Sequence, residues 1–199
     1  MSGSAGSRYA AATALVVVDV QNDFADPAGG LSVIGGAEIV AAINTEIAQA
    51  RRDGSFVVYT QDWHPVDTPH FEKDGGLWPV HCVAETWGAA FHPALIIEGP
   101  AVRKGRDGEN GYSGFTMRDP RSGDEHATGL AGLLAEHEIR RLVVVGLATD
   151  YCVKETVLDA IQLGFDTTVL ADAIHPVNRA ADDGQRALDA MRSAGATIA

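Results

Sequence analysis

The sequence predicts an α/β fold: a mostly parallel sheet with helices on both faces. Three observations carry that expectation. Short β-branched runs recur along the 199 residues with helix-period segments between them, which is the pattern of βαβ units. The strand-like runs are continuously apolar rather than alternating, as strands buried on both faces are. Hydrophobic residues make up 46% of the chain and charged residues 21%, enough apolar material for a sizeable core and too much for a disordered chain.

The elements follow in order. Residues 1–12 are rich in small side chains and are expected to form a flexible arm. Residues 14–20 (ALVVVDV) read as a buried first strand, far too short for a membrane span or a signal core. In 37–52, Ile39, Ile43 and Ile47 recur at i, i+4 and i+8, one face of a helix that Gly54 closes. Residues 55–60 (SFVVYT) make a second strand. The segment 61–93 has little periodicity but carries His, Trp and Cys82; a connection that long in a compact fold is functional or disordered, and this one is too aromatic for disorder. Residues 95–104 give a weaker third strand interrupted at Gly99-Pro100. Leu130, Leu133, Leu134 and Ile139 form a helix face before a fourth strand at 141–146 (RLVVVG). A helix at 152–163, a fifth strand at 166–171, a helix at 179–192 and a short edge strand at 196–199 complete the chain. No repeat, linker or boundary breaks it, so 1–199 reads as a single domain.

The formal net charge is −12, from 15 Lys and Arg against 27 Asp and Glu. Such a surface repels phosphate backbones and anionic lipid heads, so no nucleic-acid and no membrane partner is expected. It leaves room for a small-molecule ligand and does not oppose a homo-oligomer. Two cysteines make no disulfide framework, and the chain reads as cytoplasmic.

In an open parallel sheet, ligands bind beyond the carboxyl ends of the strands. The first strand there delivers Asp19, the second Asp62 and His64, the third Lys104, and the fourth ends in GLATDYCV, with Cys152 at the start of the next helix. A helix start favours thiolate over thiol and offers free N–H groups to an oxyanion. Asp19 at a strand end can take the thiol proton and return it to a leaving amine, with Lys104 keeping it ionised. Alone, Asp19 and Lys104 read as a structural ion pair; beside a helix-start cysteine they describe nucleophilic attack on an amide through a thioester. Asp62 and His64, two apart in an extended segment, point the same way; with His70 and His81 they make a mixed N/O set for a first-row divalent ion. His92, His126 and His175 read as surface residues. Phe24, Trp78 and Tyr112 lie on loops facing the same edge, where flat rings suit a flat ring.

These residues fall in motifs that resemble a known family. DVQNDF around Asp19, DWHP at 62–65, WPVHC at 78–82, KG at 104–105, YSGF at 112–115 and GLATDYCV at 146–153 resemble the nicotinamidase/pyrazinamidase enzymes of the isochorismatase-like superfamily. The resemblance implies a three-layer α/β/α sandwich, a triad of Asp19, Lys104 and Cys152, and one divalent metal (zinc, iron or manganese) held by Asp62, His64 and His81. His70 matches a further ligand or near-ligand of some members. It also implies a cis peptide before Ala148, with the Ala148 and Cys152 amides as oxyanion hole. The activity implied is hydrolysis of a small aromatic amide, nicotinamide to nicotinate and ammonia, with pyrazinamide as a second substrate. Two other readings compete: a metal-independent relative acting on an N-carbamoyl or other small amide, and a binding protein that has lost its chemistry. Two features depart from the family pattern. Two extra residues follow DWHP, so that His70 is followed by Phe71-Glu72-Lys73 without the usual Ser. The loop from Arg118 to His126 is longer and more polar than the catalytic scheme needs.

Overall fold

The structure, a computed structural model, describes residues 8–199. Strand β1 (Thr13–Val18) is buried along its whole length. It is followed by a single short turn of helix, α1 (Asn22–Ala25), and by α2 (Ile39–Arg52). Strand β2 (Phe56–Asp62) precedes the long loop, which holds only a 3₁₀ turn at Glu72–Asp74. Then come β3 (Ala101–Lys104), the small strands β4 (Thr116–Arg118) and β5 (Glu125–Ala127), and α3 (Leu130–Glu136). Strand β6 (Arg141–Leu147) runs into one π-helical turn, Thr149–Val153, and α4 (Lys154–Gln162). Strand β7 (Asp166–His175), α5 (Asp183–Ala194) and β8 (Thr197–Ile198) end the chain.

Six strands form one parallel sheet in the order β3-β2-β1-β6-β7-β8. The alternation of β1 divides the core in two. Leu15 and Val17 face Ile39, Ile43 and Ile47 of α2. Ala14, Val16 and Val18 face the layer with Leu130, Leu134, Val157 and Met191 from α3, α4 and α5. Helices therefore cover both faces, and continuous apolar strands are the sequence signature of that double burial. Chain order reverses between β1 and β6, because β1 leads outward to β2 on one side while β6 pairs on the other. Such a switch point opens a crevice at the carboxyl edge, where neighbouring connections diverge.

Several boundaries differ from expectation, each for a local reason. Within the expected arm, Tyr9 is buried with its hydroxyl donating to Glu46 at 2.7 Å, and the Ala12 carbonyl accepts from Arg140 and Arg141. Residues 1–7 of that expected arm lie outside the described residues. The third strand begins only after Pro100, which has no N–H to pair. Strand β7 runs on to His175, because a register shift at Val144/Gly146 lets it resume pairing with β6. Helix α5 starts at Asp183 rather than 179, where Asn178 Oδ1 takes the Gly184 N–H at 2.9 Å and Asp183 Oδ2 takes that of Ala180 at 2.7 Å. The polar loop after Arg118 is the β4–β5 hairpin. No helix of the described residues is long and apolar enough to cross a membrane.

Candidate active site

Four strand ends bring the chemistry together. Asp19 follows β1 directly, with φ of +48°; Asp62 ends β2, Lys104 ends β3, and Cys152 lies in the π turn after β6. Gly146 lets β6 approach β1 closely: a Cβ there would sit 2.1 Å from the Val18 carbonyl oxygen. The Leu147–Ala148 peptide is cis.

Lys104 is the hub. Its ammonium, fully buried, lies 2.7 Å from Asp19 Oδ2 and 3.7 Å from Cys152 Sγ. It also contacts Asp62 Oδ1 and the Gly111 carbonyl. Burial opposes its charge, but the Asp19 and Asp62 carboxylates outweigh burial and hold its pKa well above the usual lysine range. Thr60 Oγ1 donates to the other Asp19 oxygen at 2.7 Å. Even so, burial raises the Asp19 carboxyl above its ordinary value, with Lys104 acting in the opposite sense. Burial likewise raises Cys152, and the nearby carboxylates add to burial against Lys104. Cys152 lies in the π turn that runs directly into α4, the helix-start position the sequence predicts, but burial and the nearby carboxylates push its thiol pKa up, against the effect of the helix start.

Asp62 is also buried, which works to raise its pKa, yet Lys104 and His64 hold it well below the usual carboxylate range. Gln21, inside the DVQNDF motif, clamps its backbone. The Gln21 side-chain N–H donates to the Asp62 carbonyl at 2.7 Å, and its oxygen accepts from the Asp62 N–H at 2.8 Å. The second Asp62 oxygen lies 3.7 Å from His64 Nε2 and 3.9 Å from His81 Nε2. His64, His70 and His81 each bring a ring nitrogen within 4.8 Å of the others. Burial lowers the pKa of both His70 and His81 to about 4, so both rings are neutral near neutral pH.

This set fits a divalent cation. Both ring nitrogens of His64 are buried with no hydrogen-bond partner, an expense that ligation would remove. His81 Nδ1 donates to the Pro79 carbonyl at 2.8 Å, which leaves its Nε2 lone pair toward Asp62. Two buried carboxylates share one ammonium, so a cation beside Asp62 balances the charge. Gly105 has φ of +76°, and a Cβ there would fall 2.5 Å from His64 Cε1; the glycine of the KG motif makes room for the ring.

Above these groups is a small cavity. Phe24, Trp78 and Tyr112 line it, together with Ala148, Cys152, Asp62, His70 and His81, and Asp62 and Cys152 bring side-chain atoms within 4.8 Å of each other. Trp78 Nε1 donates to the Tyr112 hydroxyl at 2.8 Å, and Tyr151 packs edge-on to Trp78 at 4.8 Å. Leu31, Val33 and Val177 complete the wall. Sequence reasoning did not single out these three, Tyr151, Gln21 or Asn110. Gln21 stood inside a quoted motif and Tyr151 beside the cysteine, but Asn110 and Val177 carried no local signal.

Comparison with known proteins agrees with this geometry. The isochorismatase domain family matches residues 13–199. A nicotinamidase/pyrazinamidase of Mycobacterium tuberculosis is 39% identical over 191 residues, covering 93% of this chain and 97% of that protein. The pyrazinamidase of Pyrococcus horikoshii in complex with zinc superposes with a TM-score of 0.84 at 36% identity, covering 94% of this chain and 98% of the other. An L. infantum protein in complex with nicotinate superposes with a TM-score of 0.86 at 33% identity, covering 94% and 91%. With its matched fold, strand-end chemistry and these relatives, the chain belongs to the isochorismatase family, among its nicotinamidase and pyrazinamidase members.

Proposed function

We propose that this chain is an amidohydrolase that converts nicotinamide to nicotinate and ammonia, and accepts pyrazinamide, with Cys152 as nucleophile. The observation that carries the reading is the Cys152 thiol set 3.7 Å from Lys104, with Asp19 at the same ammonium, in an aromatic cavity also lined by His70 and His81 of the histidine cluster. Asp19 accepts the thiol proton as Sγ attacks the carboxamide carbon. The Ala148 and Cys152 amides receive the oxyanion. Asp19 then passes the proton to the leaving nitrogen, which departs as ammonia and leaves a thioester. Water, deprotonated by Asp19, cleaves the thioester and restores the thiol. Lys104 keeps Asp19 ionised between steps and holds Asp62 in place.

Asp62, His64, His70 and His81 would hold one divalent metal, for which zinc, iron and manganese all suit the nitrogen and oxygen donors. Bound there, the ion would supply a Lewis-acid contact for a ring nitrogen of the substrate. Phe24, Trp78 and Tyr112 sandwich the flat ring and exclude water. The histidine cluster argues against the metal-independent alternative acting on N-carbamoyl compounds. The strands that lead into these residues belong to one sheet, so we treat 1–199 as a single isochorismatase-like domain.

The test is ammonia release from nicotinamide and pyrazinamide. Cys152→Ala should reduce it by roughly 10⁴-fold or more without changing the circular dichroism spectrum; ammonia release at near wild-type rate would sink the mechanism.

A further inference from the structure

We propose that Asn110 is a positioning residue for the metal site: it fixes the tautomer of His70, and the β4–β5 hairpin holds it there. The proposal rests on the metal reading above. His70 is buried, and its Nδ1 lies 2.7 Å from Asn110 Oδ1. An amide oxygen only accepts, so the pairing places the ring proton on Nδ1 and leaves the lone pair on Nε2. A ligating imidazole needs that lone pair, and an acceptor on the opposite nitrogen both orients the ring and raises its basicity. Two of the three clustered histidines have such a lock. For His81 the acceptor is the main-chain carbonyl of Pro79, which no side-chain substitution removes. For His70 it is a side chain from a segment 40 residues away in sequence.

That segment is held by the hairpin. The Asn110 N–H donates to the Arg118 carbonyl at 2.8 Å, and the Arg118 N–H returns the bond at 3.0 Å. Arg118 pairs with Glu125 at the end of the β4–β5 ladder. The turn beyond is closed locally, with Asp119 Oδ1 accepting from the Arg121 and Ser122 N–H groups. Both strands are largely exposed and add little to the core. Thr116 of β4 donates to Asp159 of α4 at 2.7 Å, and the hairpin also reaches the histidine cluster. Besides Asn110, Met117 Sδ accepts from the Gly105 N–H at 3.2 Å, and Gly105 is the residue that makes room for His64. The polar loop after Arg118, superfluous to the catalytic scheme, thus acts as a brace behind two ligands. Thr68 adds a second tie: its Oγ1 donates to the Gly108 carbonyl at 3.0 Å and accepts from the His70 N–H at 3.2 Å.

The experiment measures zinc affinity of the metal-free full chain by competition with a chromophoric chelator, alongside thermal melting and the ¹⁵N shifts of the His70 ring. Asn110→Leu removes the acceptor at similar size, Asn110→Asp keeps one, and His64→Ala serves as control. Asn110→Leu should weaken zinc binding 10–100-fold and turn the His70 signals into a tautomer mixture. Asn110→Asp should bind zinc as tightly as wild type or tighter. Wild-type affinity in Asn110→Leu, with His64→Ala impaired, overturns the role of Asn110 alone. Unchanged zinc binding in His64→Ala overturns the metal reading beneath it. Equal losses of affinity in both Asn110 variants, matched by equal drops in melting temperature, would show a merely structural role and also overturn the proposal. Should Asn110→Leu fail to fold, Asn110→Asp decides: affinity below wild type sinks it.

Discussion

Lys104 shows how much one residue can carry. Its stem and ammonium are fully buried, and Asp19, Asp62, Gly111 and Cys152 all approach the same nitrogen. Isolated buried charge is costly, so each partner depends on the others. Lys104→Met should therefore end turnover and also destabilise the chain by about 3–5 kcal/mol, the usual cost of leaving buried charge unpaired. Urea unfolding of the metal-free variant checks this, and a wild-type midpoint would show that the carboxylates need no cation. Asp19, Lys104 and Cys152 were legible in the sequence because each stands at or shortly after a strand's carboxyl end, where a polar or nucleophilic residue stands out. Asn110 was not legible, since its meaning is a hydrogen bond to a ring 40 positions away.

At the scale of the element, the π turn at Thr149–Val153 matters more than the helix it opens. The sequence supports a helix there, but not its wider first turn, which depends on how β6 leaves the sheet. Asp150, buried in that turn, accepts the N–H groups of Val177 and Asn178 at 2.9 and 2.8 Å. The nucleophile and one cavity wall are thereby a single unit, and Arg179, just beyond, lies over Trp78 at 5.1 Å. Asp150→Ala should free that wall: we expect a KM for nicotinamide raised about ten-fold and stability lower by roughly 2 kcal/mol, from two unpaired N–H groups. Steady-state kinetics with thermal melts test it; an unchanged KM would mean that the wall keeps its place without Asp150.

Across the whole molecule, the sheet sets the site and the helical layers hold the sheet. Ile43 lies fully buried between α2 and the sheet, on the face that includes Leu15 and Val17. Ile43→Ala should cost about 2–5 kcal/mol through lost burial and a residual cavity, while kcat and zinc affinity stay at wild-type values. Denaturant titration and the ammonia assay read the two separately, and a large fall in kcat at full folding would show that core and site are coupled. The net charge of −12 belongs to this scale as well. It bears on partners and solubility, not on the fold.

The sequence by itself determined the parallel α/β class, since continuous apolar strands and interleaved helix periods have few other solutions. It also showed which residue types stand at or just beyond the strand ends, and hence the proposed triad and the histidine-rich loop. It did not foresee the burial of Tyr9, which follows from a contact with Glu46 on a distant helix. The helix-start argument counted only local dipoles; burial and two carboxylates, both imposed by the tertiary fold, act on Cys152 in the opposite sense. Strand order was likewise beyond the sequence: pairing β1 with both β2 and β6 is what places Asp19 and Cys152 side by side. Local pattern encodes what each segment is, whereas long-range packing decides which segments meet, and chemistry at this site depends on the meeting.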